Sequence, residues 1–205
     1  MIYRTLLLLF ILNFSYSQDE KNLKYFGKDY FVIDGTKIHD SLKESPYDRL
    51  PFSYKEYVRK PVWDLSKASA GLSIRFISNS SIISAKWEVL NNNEMNHMPD
   101  TGIKGIDLYY KTDNGWQYLA TGRPQGFKNE YSLIENMTNE EREYKIYLPL
   151  YDGIKNIEIG IDDNSFIKKG ETSFKDTIVF YGTSITQGGC ASRPGMIHTN
   201  IISRK

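Results

Sequence analysis

Between residues 71 and 161 apolar and polar positions alternate with a period of two. Leu72, Ile74 and Phe76 alternate with Ser73, Arg75 and Ile77. Ile83, Ala85, Trp87 and Val89 alternate with Ser84, Lys86 and Glu88. That period belongs to strands with one face buried. Asn79-Ser80-Ser81 between the two runs reads as a turn. Ile106, Leu108 and Tyr110 follow, then Asp113-Asn114-Gly115, a strong hairpin signal, with a return strand from Trp116 to Thr121. Tyr144, Ile146 and Leu148 alternate next, Tyr151-Asp152-Gly153 turns the chain, and Ile157, Ile159 and Ile161 continue it. The most helix-like stretch here is Ser132 to Arg142. Short strands at this spacing predict an antiparallel β-sandwich, jelly-roll-like, over residues 18–172.

Both ends of the chain depart from that pattern. Residues 1–17 place Arg4 before an apolar run from Leu6 to Leu12, with Ser15 and Ser17 at cleavage spacing. This is the form of a signal peptide cut before Gln18, too short for an ordinary spanning helix. It predicts an exported protein, secreted or periplasmic, with no stable membrane anchor. After Phe174 the run Thr177-Ile178-Val179-Phe180-Tyr181 is almost continuously apolar, as in a parallel strand covered on both faces. It leads into Gly182-Thr183-Ser184-Ile185-Thr186-Gln187-Gly188-Gly189, and Ile197 and Ile201 are then spaced as one helix face. Residues 173–205 therefore read as the first strand, loop and helix of an α/β domain.

Composition narrows the chemistry. The 205 residues carry 26 basic and 25 acidic side chains, so no basic excess exists to grip a nucleic-acid backbone. One cysteine excludes an internal disulfide and a cysteine-cluster metal site, and three histidines are few for a zinc enzyme. The 15 tyrosines allow stacking on sugar rings, or they simply pack well on pleated sheets. A carbohydrate-binding or structural β-module without catalysis is the second function carried forward.

The loop after Tyr181 lacks the lysine of a phosphate-binding loop. Positions one, three and six from Gly182 hold Gly182, Ser184 and Gln187, which fails the dinucleotide pattern. Thr186 stands where the sharp nucleophile elbow needs a final glycine. Two readings of Ser184 remain: a nucleophile in a less constrained loop, or a serine capping the helix. Asp107 lies on the strand face opposite Ile106 and Leu108, where it anchors a turn or pairs with an arginine. Cys190 reads as a small buried residue beside the loop. Arg193, with Gly188 and Gly189, either shapes an anionic substrate pocket or fixes the loop. His97 reads as a surface loop residue, and His198 falls within the predicted helix that leads away from Ser184.

The segment FYGTSITQGGCASRPGM resembles the first block of the SGNH, or GDSL-type, esterase superfamily. Gly105-Ile106-Asp107-Leu108-Tyr109 is similar to the GxDLY signature of the domain preceding the esterase domain in one subgroup, in the expected order. Tyr47-Asp48-Arg49-Leu50-Pro51 and Val62-Trp63-Asp64-Leu65-Ser66 support the resemblance. It implies a flavodoxin-like α/β hydrolase domain, Ser184 as nucleophile, and the Ser184 backbone amide as an oxyanion donor. Thr183 replaces the usual aspartate. The resemblance also implies a bacterial hydrolase of small-molecule or carbohydrate esters, working without a cofactor or metal. The family's remaining oxyanion donors, a glycine and an asparagine, and its Asp-x-x-His base belong to later blocks. The sequence ends at Lys205 before them, so this chain alone is expected to show negligible ester hydrolysis.

Overall fold

The computed structural model describes residues 22–170 and 177–205. The expected signal peptide, residues 1–17, lies outside the described residues. The strands are β1 (Leu23–Phe26), β2 (Val32–Asp34), β3 (Ser73–Ser78), β4 (Ile83–Val89) and β5 (Ile106–Thr112). They continue as β6 (Gly115–Gly122), β7 (Lys128–Ile134), β8 (Arg142–Tyr147), β9 (Ile154–Asp162) and β10 (Ile167–Lys169). Helices α1 (Lys60–Ser66), α2 (Asp100–Ile103), α3 (Ser184–Gln187) and α4 (His198–Ile202) are short, and four 3₁₀ turns lie between elements.

One sheet has four strands in the order β1-β9-β4-β7. The other has six, ordered β10-β3-β8-β5-β6, with β2 also paired to β3. Their pairings are antiparallel. The alternating residues explain the register. Ile74, Phe76, Ile106, Leu108 and Ile146 from the six-stranded sheet join Ile83, Ala85, Trp87, Ile157, Ile159 and Ile161 from the four-stranded sheet in one buried cluster. Each buried Ile, Leu or Phe among them contributes about 1.5–3 kcal/mol through burial. Trp87 keeps its indole N–H satisfied by donating to the Lys104 carbonyl at 2.9 Å. The Asp113-Asn114 turn closes the β5–β6 hairpin, with Gly115 in the left-handed region at φ +94°.

The jelly-roll-like sandwich followed by a strand–loop–helix is not what forms. The fold is mixed α/β with two open, non-curled sheets, and short helices occupy the connections. The apolar run Thr177–Tyr181 forms no strand, because no parallel neighbour among the described residues offers it a ladder. Ile178, Val179 and Tyr181 are instead exposed. The helix-like stretch Ser132–Arg142 also resolves differently. It contributes the end of β7 and the start of β8, because Ser132 and Ile134 pair with Ser84 and Ile83 of β4.

The outer face of the six-stranded sheet positions the last part of the chain. Alternation turns Asp107 and Tyr109 of β5 and Lys145 and Tyr147 of β8 away from the core, and Asp107 pairs in register with Tyr147. Residues 193–204 lie against this face through the contacts described next.

Candidate functional site

Ser184 opens α3, a single helical turn. Thr183 precedes it in extended backbone at φ −94° and ψ −159°, and no side chain caps the turn. The Ser184 side chain therefore does not serve as a helix cap. Gly188 ends the turn in the left-handed region at φ +110°, and a Cβ there would lie 2.3 Å from Ile197 Cγ2. Only glycine meets both conditions. The Ser184 carbonyl accepts from Gly188 N at 3.0 Å, Gly189 N at 2.8 Å and the Tyr151 hydroxyl at 3.0 Å. The backbone of Ser184 is thus held from three sides while the residue itself is exposed.

Below the turn lies a second apolar cluster of Ala70, Met98, Ile103, Leu150 and Ile197, flanked by Tyr151 and Ala191. It joins the two parts of the chain. Gln187 Nε2 donates to the Leu150 carbonyl at 2.9 Å, and Arg49 Nη2 donates to Gln187 Oε1 at 3.3 Å and to the Leu65 carbonyl at 2.5 Å. Burial lowers the Arg49 pKa below its ordinary value. Thr101 Oγ1 donates to the Ser192 carbonyl at 2.6 Å.

The polar centre of the junction is Asp107, which is fully buried. Its Oδ2 accepts from Arg193 Nη1 and from Gly195 N, each at 2.7 Å, and its Oδ1 accepts from Thr121 Oγ1 at 2.7 Å. Arg193 also donates to the Tyr109 hydroxyl at 3.0 Å and lies 4.0 Å over the Tyr118 ring. Burial opposes the Arg193 charge, but Asp107 and Tyr109 more than offset it, so its pKa sits above the ordinary value. Arg204 stacks 4.3 Å over Tyr109 and donates to the Gly195 carbonyl at 2.9 Å. The Tyr147 hydroxyl donates to the Asn200 carbonyl at 3.1 Å, and Asn200 Nδ2 donates to the Pro194 carbonyl at 2.9 Å.

The loop residues singled out in the sequence therefore divide. Ser184, Gly188 and Gly189 meet in one tight turn. Arg193 pairs with Asp107 at 2.7 Å. Cys190 is not buried: it is exposed, with φ +62°. No hydrogen bond joins Ser184 to a histidine among the described residues. His198 is exposed, with its ring edge on Phe180 at 5.8 Å, and His97 is exposed with Nδ1 3.0 Å from Asn96 Oδ1. Among the described residues no group of three or more His, Cys, Asp or Glu could hold a metal, and no helix is long and apolar enough to cross a membrane. Sequence reasoning missed Tyr109, Tyr147, Tyr151, Gln187 and Arg204. For the first two a signal existed, since both share the outward face with Asp107 or its register partner.

Comparisons with known proteins agree with this junction of two segments. Residues 23–167 match the family described as GxDLY, the N-terminus of SGNH-hydrolase-type esterases. Residues 175–205 match the GDSL-like lipase/acylhydrolase family. A crystal structure of a GDSL-like lipase from Bacteroides ovatus superposes with a TM-score of 0.83 at 39% identity. That match covers 89% of this chain and 53% of that protein, so the chain spans about half of that relative's length. A salicylyl-acyltransferase from a tetracycline biosynthetic pathway shares the fold, with a TM-score of 0.54 at 11% identity over 74% of this chain and 42% of that one. No curated protein matches the chain.

Proposed function

The chain belongs to the SGNH-hydrolase-type esterases that carry a GxDLY N-terminal domain, and we propose that it supplies the nucleophile segment for hydrolysis of carboxylic esters, with acylated carbohydrates as the substrate class. The family is consistent with small-molecule ester substrates. The observation that carries the reading is the state of Ser184: an exposed residue whose carbonyl is fixed by Gly188, Gly189 and Tyr151. In this reading the Ser184 hydroxyl attacks the ester carbonyl. The tetrahedral oxyanion receives the Ser184 amide, the alcohol leaves, and water releases the acid from the acyl-serine. Attack requires a base to take the hydroxyl proton, and the described histidines make no bond to Ser184. The chain alone is therefore proposed not to turn over. The apolar leader, residues 1–17, supports export from the cytoplasm.

The test is hydrolysis of p-nitrophenyl acetate and of acetylated xylan oligomers. Both are assayed with the chain alone and with the chain joined after Lys205 to the matching remainder of the Bacteroides ovatus relative. The expected result is turnover by the joined protein only, abolished by Ser184→Ala. Full turnover by Ser184→Ala removes Ser184 from the chemistry, and no turnover by either form leaves the non-catalytic module as the better account.

A further inference from the structure

We propose that Asp107, on β5 of the GxDLY segment, is a positioning residue for the Ser184 loop. It would set the rate of the chemical step without touching substrate. The proposal rests on the reading of Ser184 as nucleophile.

Three observations carry it. Asp107 is fully buried, and both bonds to its Oδ2 come from the segment that bears Ser184, at Arg193 and Gly195. Among the described residues only Thr121 serves it from its own sheet. A buried carboxylate stripped of charged and amide donors is strongly disfavoured, so the sheet face is complete only when the loop is seated. Second, the seat admits one approach. A Cβ on Gly195 would fall 2.2 Å from the Tyr109 hydroxyl and 2.7 Å from Asp107 Oδ2, so the backbone rests directly on the carboxylate. Third, the constraint reaches the nucleophile. Between Gly195 and α3 the loop is pinned again, at Ser192 by Thr101, at Ala191 by its amide bond to the Gly188 carbonyl, and at Ser184 by Tyr151. A loop held at both ends has little freedom to move its backbone amides, and small displacements of such groups cost large factors in rate.

The test pairs a readout independent of hydrolysis with one that depends on it. On the 205-residue chain, Asp107→Asn should speed amide exchange at Gly195, Ala191 and Ile201 by roughly tenfold or more while leaving Ile74, Ile146 and Ile159 unchanged. Arg193→Ala should match it, the double variant should be no worse than either single one, and Arg193→Lys should restore part of the protection. In whichever form of the protein shows Ser184-dependent turnover, Asp107→Asn should lower kcat by roughly tenfold or more with KM unchanged. Gly195→Ala, which leaves the carboxylate intact but blocks the seat, should do the same. Uniform loss of protection across the sheets, additive single effects, or a loosened loop with kcat unchanged would overturn the proposal. Absence of any Ser184-dependent turnover would also overturn it. In that case the exchange data would show that the anchor exists and that the nucleophile reading is what failed.

Discussion

Lys145 offers the sharpest energetic test of the interface beneath the loop. Its side chain is buried on the outer face of β8, with its ammonium 4.7 Å over the Trp116 ring and 5.7 Å from the Tyr147 ring. No carboxylate among the described residues pairs with it. Burial is the main cause of a pKa lowered from 10.5 to about 8. Arg75 and Arg204 add to the fall, while Asp34 and Glu143 oppose it. A fall of that size corresponds to about 3 kcal/mol against keeping the ammonium charged in the fold. For a base whose folded pKa is depressed, the unfolded chain binds more protons between the two values, so stability should rise with pH from about 8 to 10.5. Below about 8 the cost is constant and fully present. Lys145→Met keeps the apolar stem and removes the charge. The lost cation–π contacts, about 0.5–2 kcal/mol, offset part of the gain. The variant should therefore be more stable at pH 7 by about 1–3 kcal/mol, and its alkaline rise should disappear. Urea unfolding across pH 6 to 10.5, with ¹³Cε titration of Lys145, measures both. A destabilised Lys145→Met, or an amine titrating at the ordinary lysine value, would refute the reasoning.

Other consequences follow from single contacts. Gly188→Ala forces a side chain into the left-handed region against Ile197, costs about 2–3 kcal/mol, and should expose residues 188–205 to limited proteolysis before the sheets. Tyr147→Phe removes the hydroxyl held at Asn200 and Ser203. It should loosen α4 by about 1 kcal/mol, read as faster exchange at Ile201 and Ser203 with the cores unchanged. Burial would raise the Asp162 pKa, but hydrogen bonds from Ser80, Ser165 and the Ser81 amide hold it below its ordinary value. Its contribution is present above the unfolded-state pKa and is lost as pH falls through the folded one. Asp162→Asn should therefore lower stability at neutral pH and flatten the acid side of the unfolding profile.

The strands that bury one full face were legible. Leu72 to Phe76, Ile83 to Val89 and Ile106 to Tyr110 alternate cleanly, and β3, β4 and β5 form there. The short edge strands β1, β2 and β10 were not, because three or four residues carry too little periodicity and take their conformation from the neighbour they pair with. The same effect makes the start of the helix-like stretch, Ser132 to Ile134, the end of β7, since β4 supplies the ladder. Thr177–Tyr181 fails in the opposite sense: a strand-like composition without a partner stays unpaired. At the site, the turn that joins Ser184 to Gly188 and Gly189 was legible because these residues lie close together in the sequence. Local spacing placed Asp107 on the outward face, but it could not supply the partners that bury it. Arg193, Gly195 and Arg204 lie far along the chain from Asp107 and Tyr109, and only the fold brings them together.

The central claim is that Ser184 carries the acyl group. Peptide mapping by mass spectrometry tests it most directly, after acid quench of the turnover-competent protein mixed with excess p-nitrophenyl acetate. The account predicts one acetyl adduct, on the peptide containing Ser184, formed at the burst rate and absent in Ser184→Ala. A burst that persists in Ser184→Ala, with the acetyl group on Cys190 or another residue, would contradict it.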